Sequence, residues 1–237
     1  MVDLTVVMPA YNEADNLPEA VEDISKYVLA IVPNAEVLVV NDGSTDKTAE
    51  VLGHLAEAEP RLQIITQPNA GHGAALMTGI SKARGGAVLL LDSDREVPLS
   101  SFSDHWAALR DPEVGAILGV RVSRKSPWHR ACITTAMRVL IRLLFGVRLG
   151  DANAPYKLIS ADALSQIKPL IPEDCHIPSV AAAIALKHLT GPATREVDVR
   201  HTPRTAGQST LKIRRLATLC AKATGDLFRV RSALRRR

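Results

Sequence analysis

The chain has 237 residues, of which 46% are hydrophobic, and this is enough apolar material for one sizeable core. No run reaches the ~18 uninterrupted apolar residues of a transmembrane helix, so an integral membrane protein is not expected. The three cysteines are odd in number and far apart, which argues against a disulfide framework and against cysteine-ligated zinc, and favours a cytoplasmic protein.

The net charge of +4 conceals an uneven distribution. Residues 195–237 contain twelve Lys and Arg against three Asp and Glu, whereas residues 1–194 contain seventeen against twenty-two. A basic segment on a mildly acidic body predicts a localised anionic partner, such as an anionic membrane surface or a phosphorylated substrate, unless the segment is merely solvated and frayed. We do not expect nucleic acid as a partner, because only 3% of the residues are aromatic and no base-reading motif is present.

Apolar, β-branched runs alternate with helical patterns through the first half of the chain. The runs predict strands at Leu4–Pro9, Glu36–Asn41, Leu62–Thr66, Ala87–Leu91 and Ala116–Val122. Helices are predicted between them at Ala14–Ile31, Thr48–Ala58 and Gly73–Ala83. This alternation indicates an α/β fold with a Rossmann-like, mostly parallel sheet and helices on both faces.

The second half of the chain has a less regular pattern. A basic amphipathic helix is predicted at Trp128–Phe145, and it either lies in a bilayer interface or packs on the domain. The remaining predictions are a strand at Tyr156–Ile159, helices at Ala161–Gln166 and Val180–His188, an edge strand at Thr194–Arg200, and a basic helix with a disordered end from Leu211. The expected organisation is a domain of residues 1–210, with halves 1–125 and 126–210, followed by a basic helical appendage at 211–237.

Polar side chains follow three of the predicted strands, where parallel α/β sheets bind their ligands. They include Asp42 after the second strand, and Asp92 and Asp94 after the fourth. Carboxylates gathered in one crevice repel each other unless a cation lies among them, and hard divalent cations choose oxygen ligands. The Asp-x-Asp pair therefore predicts a metal that bridges to phosphates. The alternative is that these aspartates only form turns or cap helices.

Four segments, in this order and spacing, resemble glycosyltransferase family 2, the inverting GT-A group: PAYNEADNL, VVNDGSTDKT, NAGHGAALMTG and LLLDSD. The resemblance continues more loosely in DANAPYKL, IPED and HTPRTAGQS, where it is most similar to polyprenol-phosphate glycosyltransferases of the dolichol-phosphate mannosyltransferase type. It implies a GT-A fold, a UDP- or GDP-sugar donor, and dependence on Mg²⁺ or Mn²⁺. It also implies transfer of a hexosyl or N-acetylhexosaminyl group.

The resemblance also assigns residues to the nucleotide-sugar. They are Pro9, Tyr11 and Glu13 for the base and ribose, Asp42 for the nucleobase, Gly71 and Gly73 for close backbone approach, and Asp92 with its neighbour Ser93 for the ribose or sugar.

A further set is assigned to the metal and the phosphates. Asp94 would bind the metal with Asp92 beside it, and Lys157 would contact phosphate. Arg204 and Ser209 would belong to a loop that closes over the donor diphosphate or the acceptor phosphate. Two departures stand out. Lys157 takes the place of an arginine in many relatives, which exchanges a bidentate fork for a point charge. Arg95 and Glu96 follow the Asp-x-Asp pair and change the charge beside the donor sugar.

The acceptor divides the functional hypotheses. The leading one is inverting transfer from a nucleotide-diphosphate sugar to a polyprenyl phosphate, which needs no base because it is already an anion near neutral pH. The second is a soluble enzyme acting on a small-molecule hydroxyl, such as a secondary metabolite or nucleoside, for which Asp174 is the expected general base and Glu173 the second candidate. An inactive nucleotide-sugar binding protein, peripheral to a membrane, is the third. The expected catalytic residues are Asp174, Asp94 and Arg204.

Overall fold

The computed structural model of the chain describes residues 2–122, 128–200 and 213–236. In these ranges, seven strands form one sheet in the order β3-β2-β1-β4-β6-β5-β7. The strands are β1 (Leu4–Ala10), β2 (Ala35–Asp42), β3 (Leu62–Gln67), β4 (Ala87–Leu90), β5 (Ala116–Val122), β6 (Lys157–Ser160) and β7 (Thr194–Arg200). The predicted α/β fold with a mostly parallel sheet is confirmed.

Strand direction divides the sheet into two parts. β1 pairs in parallel with both β2 and β4, and β2 pairs in parallel with β3. β6 then runs antiparallel between β4 and β5, while β5 and β7 are parallel. Every residue of β1 and β2 is buried, as their mostly apolar sequences favour for strands covered on both faces.

Helices cover both faces of this sheet. They are α1 (Leu17–Ile24), α2 (Thr48–Ala58), α3 (His72–Lys82), α4 (Phe102–Leu109), α5 (Trp128–Phe145), α6 (Ala161–Ile167), α7 (Pro178–Thr190) and α8 (Ile213–Arg235). Because side chains alternate along a strand, Val6 and Met8 of β1 belong to one apolar cluster with α1, whereas Val7 belongs to a second with α3 and α7.

Two of the predicted helices differ from the structure in their extent. The first was predicted as one helix over Ala14–Ile31, but α1 begins at Leu17, with a proline in its first turn, and continues as a π-helical turn at Ser25–Leu29. The prediction of a disordered C-terminal end is wrong for the described residues, since α8 remains helical to Arg235 and buries Leu227 and Val230.

Within residues 2–122, 128–200 and 213–236, no helix combines the length and the apolar character needed to cross a bilayer.

A buried carboxylate joins three elements at the end of the sheet where β1 and β2 begin. Glu36 accepts hydrogen bonds from Thr5 Oγ1 at 2.8 Å, Gln63 Nε2 at 3.2 Å and Arg84 Nη2 at 2.5 Å. Thr5 Oγ1 in turn accepts the N–H of Gly85 at 2.9 Å. Burial raises the pKa of Glu36, but the hydrogen bonds from Arg84 and Thr5 outweigh it and hold the pKa below its ordinary value.

We expect Glu36→Gln to lower the free energy of unfolding by about 1–3 kcal/mol at pH 7, because a charge-assisted network loses its anion. A depressed folded-state pKa stabilises the fold above the unfolded value and loses this contribution as the pH falls through the folded value. The difference from wild type in urea unfolding should therefore shrink below about pH 4. Glu57→Gln, at an exposed position of α2, is the matched control. Equal stability of Glu36→Gln and wild type at neutral pH would contradict this role.

Candidate active site

One open cavity of about 650 Å³ lies where β1, β2 and β4 end. Its lining residues are Pro9, Ala10, Tyr11, Glu13, Asp42, Gly43, Thr45, Asn69, Gly71, His72, Ala75, Asp92, Ser93 and Asp94. Eight residues predicted from the sequence are therefore brought together: Pro9, Tyr11, Glu13, Asp42, Gly71, Asp92, Ser93 and Asp94.

The loops after β1 and β2 hold each other in place. The Asn12 side chain accepts the N–H of Thr45 at 2.8 Å, and the Asn12 N–H donates to Ser44 Oγ at 3.1 Å. Asn12 has a φ of 55°, a left-handed conformation that asparagine tolerates better than most residues. Tyr11, with 43% of its surface exposed, is thereby presented at the cavity wall.

Asp42 organises the loop that leads from β3 to α3. Its carboxylate accepts hydrogen bonds from Gln67 Nε2 at 2.7 Å, the Ala70 N–H at 2.9 Å and the Gly71 N–H at 2.8 Å. A carboxylate has about four lone-pair positions, so one remains for a donor on a bound base. The nucleobase contact stays a prediction, and the structure adds a loop-ordering role to it.

The two predicted glycines are required for different reasons. Gly71 has a φ of 92°, a conformation that side chains rarely adopt, and it lines the cavity. Gly73 does not line the cavity. A Cβ there would lie 2.6 Å from the Cys175 carbonyl oxygen and 2.9 Å from that of His176. A loop of the protein therefore lies close against Gly73, and the approach of a nucleotide at this glycine stays a prediction.

Asp92 and Asp94 stand at the end of β4. Asp94 is 4% exposed, and its Oδ1 accepts the N–H of Glu96 at 3.1 Å, so the turn-forming role considered for it is present. The Asp92 side chain is half-buried, with 34% of its surface exposed, and this partial burial raises its pKa; the charge of His72 lowers the pKa, and the charge of Asp94 raises it. His72 Nε2 lies 3.7 Å from Asp92 Oδ1.

This pair suits a divalent cation that keeps other ligands. A cation would offset both the burial and the mutual repulsion of the two carboxylates. Among the residues that the structure describes, no three acids, histidines or cysteines are grouped to hold a metal by themselves. Any metal at Asp92 and Asp94 would therefore take its remaining oxygen ligands from phosphate and water.

The two unusual charges after the pair have partners within the protein. Arg95 forms ion pairs with Glu19 and with Asp23 of α1. Glu96 lies 3.4 Å from Arg121, which also pairs with Asp151 at 2.7 Å. Arg95 and Glu96 do not line the cavity. The expected change of charge beside a donor sugar is therefore largely offset.

Lys157 is buried on β6 rather than open to the cavity. It is 1% exposed, and its Nζ donates to the Ala154 carbonyl and to Ser179 Oγ at 2.7 Å. Burial lowers the pKa of Lys157 to about 8, against the opposing charges of Asp151 and Asp92. Direct contact with phosphate would require a rearrangement of these bonds.

Asp174 also lies outside the cavity lining. It is exposed and accepts a hydrogen bond of 2.5 Å from Arg229 of α8, which holds the pKa of its carboxyl below the ordinary value. A lower pKa makes a weaker general base. Arg204 and Ser209 lie outside the described residues.

Some lining residues were not predicted, among them Thr45, Asn69 and His72. His72 begins α3 directly after Gly71, and that position was the signal available in the sequence.

Comparisons with known proteins place this site in context. The family model described as Glycosyl transferase family 2 matches residues 5–157. The chain is also similar to a glucosyl-3-phosphoglycerate synthase from Mycobacterium tuberculosis solved with Mn²⁺, UDP-glucose and phosphoglyceric acid. The two are 18% identical with a TM-score of 0.72, over 97% of this chain and 80% of that one. A mannosyltransferase from Pyrobaculum calidifontis with GDP-Man and Mn²⁺ is 24% identical with a TM-score of 0.65, over 97% and 68%. At these identities the likeness shows a shared fold.

We expect Gly73→Ala to lower the stability of the fold by about 1–3 kcal/mol, because backbone carbonyls block the added methyl group. Gly53→Ala is the matched control: Gly53 lies inside α2 with nothing within 4 Å of an added Cβ. This control should be neutral or stabilising by up to about 1 kcal/mol. Thermal unfolding of both variants gives the comparison. An unchanged Tm for Gly73→Ala would contradict the packing role.

Proposed function

The chain belongs to glycosyl transferase family 2, and we propose that it transfers a hexosyl group from a UDP- or GDP-sugar to a small-molecule acceptor. The observation that carries this proposal is the convergence of Asp42, Asp92 and Asp94 on one cavity with Tyr11 and Gly71. A nucleotide-sugar presents a flat base, a ribose and a diphosphate. The cavity offers an aromatic wall, buried acceptors and a carboxylate pair for a cation.

The assignment of roles follows the lining of the cavity. Pro9, Tyr11 and Glu13 bind the base and ribose, and Asp92 lies against the ribose or sugar. Asp92 and Asp94 hold Mg²⁺ or Mn²⁺, which when bound neutralises charge on the departing nucleoside diphosphate. Mn²⁺ accompanies the sugar nucleotide in both similar structures, which supports this choice of metal.

A second group of residues binds the phosphates in this proposal. Arg204 supplies a positive charge and Ser209 a hydroxyl to the donor diphosphate or an acceptor phosphate, and Lys157 supplies a positive charge from its buried position on β6. The lowered pKa of Lys157, about 8, still leaves its ammonium mostly charged at neutral pH.

A small phosphate-bearing hydroxyl compound is the acceptor class that we favour. Structures of the similar synthase contain phosphoglyceric acid or glycerol 3-phosphate. The basic excess in residues 195–237 suits an anionic acceptor. The polyprenyl-phosphate acceptor, and with it the dolichol-phosphate mannosyltransferase-like subtype, stays a second prediction.

Attack on the face opposite the leaving diphosphate inverts the anomeric carbon, and a hydroxyl acceptor then needs a base. We retain Asp174 in this role. Its action requires the ion pair with Arg229 to open, because that pair weakens Asp174 as a base. A polyprenyl phosphate would attack as an anion without this help.

A peripheral membrane contact is a further part of the proposal. On α5, Val139 is 52% exposed and Leu143 is 75% exposed, with Arg138 and Arg142 exposed beside them. Apolar and basic side chains on one helix suit an anionic bilayer surface. Leu143→Glu should reduce co-sedimentation with vesicles rich in phosphatidylserine, while Ile31→Glu, at another exposed apolar residue, should not. Equal sedimentation of all three proteins would remove this part of the proposal.

We expect Asp94→Asn to reduce sugar transfer at least about 100-fold and to remove the metal dependence of donor binding, since the neutral side chain is a poor metal ligand. Transfer is measured with UDP- and GDP-sugars, Mn²⁺ or Mg²⁺, and either 3-phosphoglycerate or a polyprenyl phosphate as acceptor.

Asp104→Asn, at an exposed aspartate of α4, is the matched control and should retain full activity. Normal turnover of Asp94→Asn with added Mn²⁺ would overturn the metal assignment. Donor binding by wild type without transfer or hydrolysis would favour the nucleotide-sugar binding protein over the enzyme.

A further inference from the structure

Helix α8 carries a single acidic residue among its basic ones, and that residue is buried. Asp226 is 3% exposed, although α8 presents Lys222, Phe228 and Arg229 to solvent. Burying a carboxylate is costly unless hydrogen bonds or ion pairs compensate it. Leu227 and Val230 already supply apolar contacts for docking the helix. Apolar docking of α8 on the domain therefore does not explain why this carboxylate is buried.

Asp226 contacts the loop before α7, residues 172–177. Asp226 Oδ2 accepts the backbone N–H of His176 at 2.7 Å and lies 3.2 Å from His176 Nδ1. Arg229 Nη1 lies 3.4 Å from Asp226 Oδ1, and Arg229 also holds Asp174 of the same loop. One carboxylate thus fixes both the backbone and the ring of His176.

The carbonyl groups of this loop pack against the first turn of α3, at Gly73. The carbonyl oxygens of Cys175 and His176 face Gly73 so closely that a Cβ could not fit between them. Gly73 belongs to the first turn of α3, next to Gly71 and His72, which line the cavity. His72 in turn lies 3.7 Å from Asp92. Tight packing across such a contact transmits displacement, because packed backbone cannot compress.

We propose that Asp226 is a positioning residue for nucleotide-sugar binding, acting through the 172–177 loop on the first turn of α3. The inference rests on the proposed function, since the positioned wall is that of the donor cavity. It gives the last helix a part in the site although α8 contributes no described residue to the cavity lining. Without the carboxylate, α8 no longer holds His176, and the loop that packs against the first turn of α3 loses this anchor.

Three variants separate this role from simple structural support. Asp226→Ala removes every bond to the loop. Asp226→Asn keeps one oxygen that can accept the His176 N–H. Arg229→Gln breaks the contacts to Asp174 and Asp226 but leaves Asp226 with His176. We expect the Kd for UDP or GDP with Mn²⁺ to rise about tenfold in Asp226→Ala and to stay within about threefold of wild type in the other two, the scale of coupling through packed networks. Ser232→Ala, on the exposed side of α8, is the control.

Amide hydrogen exchange supplies a readout that does not depend on activity or on any ligand. In Asp226→Asn and in Asp226→Ala, exchange should rise at residues 174–177 and also at residues 71–75, with the larger increase in Asp226→Ala. If Asp226→Ala does not fold, the exchange pattern of Asp226→Asn at residues 174–177 and 71–75 still tests the proposal.

Two results would overturn the proposal. One is unchanged nucleotide affinity in a folded Asp226→Ala protein. The other is an increase of exchange that stays within residues 174–177 and α8 without reaching residues 71–75. If wild type binds no nucleotide at all, the proposed function fails, while the exchange pattern still tests whether Asp226 positions α3.

Discussion

Parallel pairing of β1 with both β2 and β4 is the constraint on which the site depends. Ala10 lies opposite Asn41, and Val7 lies opposite Leu90, so the three strands finish at the same edge of the sheet. The chain segments that leave them must enter the same space, whatever their sequence. Tyr11 and the acidic residues Asp42 and Asp92 are distant in the chain, and they share a cavity because of this pairing.

The acidic side chains around that cavity differ in how far hydrogen-bond donors and cationic side chains compensate their charge. Asp42 has three hydrogen-bond donors, and Arg121 compensates Glu96 together with Asp151. Asp92 is different, because burial raises its pKa and the nearby His72 offsets this in part. The metal proposal depends on the placement of Asp92 and Asp94 together on the cavity wall at the end of β4, and Asp-x-Asp as a sequence pattern is weaker support.

Much of the sheet and of the donor side could be predicted from sequence. Apolar, β-branched runs such as Leu4–Pro9 identify central parallel strands, and the residues after them then lie at the ligand-binding edge because of the topology alone. The antiparallel insertion of β6 between β4 and β5 has no such signal, and it is what buries Lys157. Hydrophobic periodicity indicates that a strand is buried but does not predict which strands pair with it.

The contacts made by the C-terminal half show the same limit. Gly73 has a sequence context that suits a ligand, and only the folded chain reveals that the 172–177 loop occupies the space beside it. The ion pair between Asp174 and Arg229 joins residues 55 positions apart, so composition could suggest a basic appendage but not its partner. Docking of α8 turns that appendage into part of the second apolar cluster.

Calorimetric titration of wild-type protein with UDP and with GDP, each with and without Mn²⁺, tests the central claim most directly. The claim is that the edge shared by β1, β2 and β4 binds a nucleoside diphosphate through a cation at Asp92 and Asp94. It predicts one site per chain for at least one nucleotide, with affinity at least about tenfold higher when Mn²⁺ is present. Equal affinity with and without the metal, or no binding of either nucleotide, would contradict it.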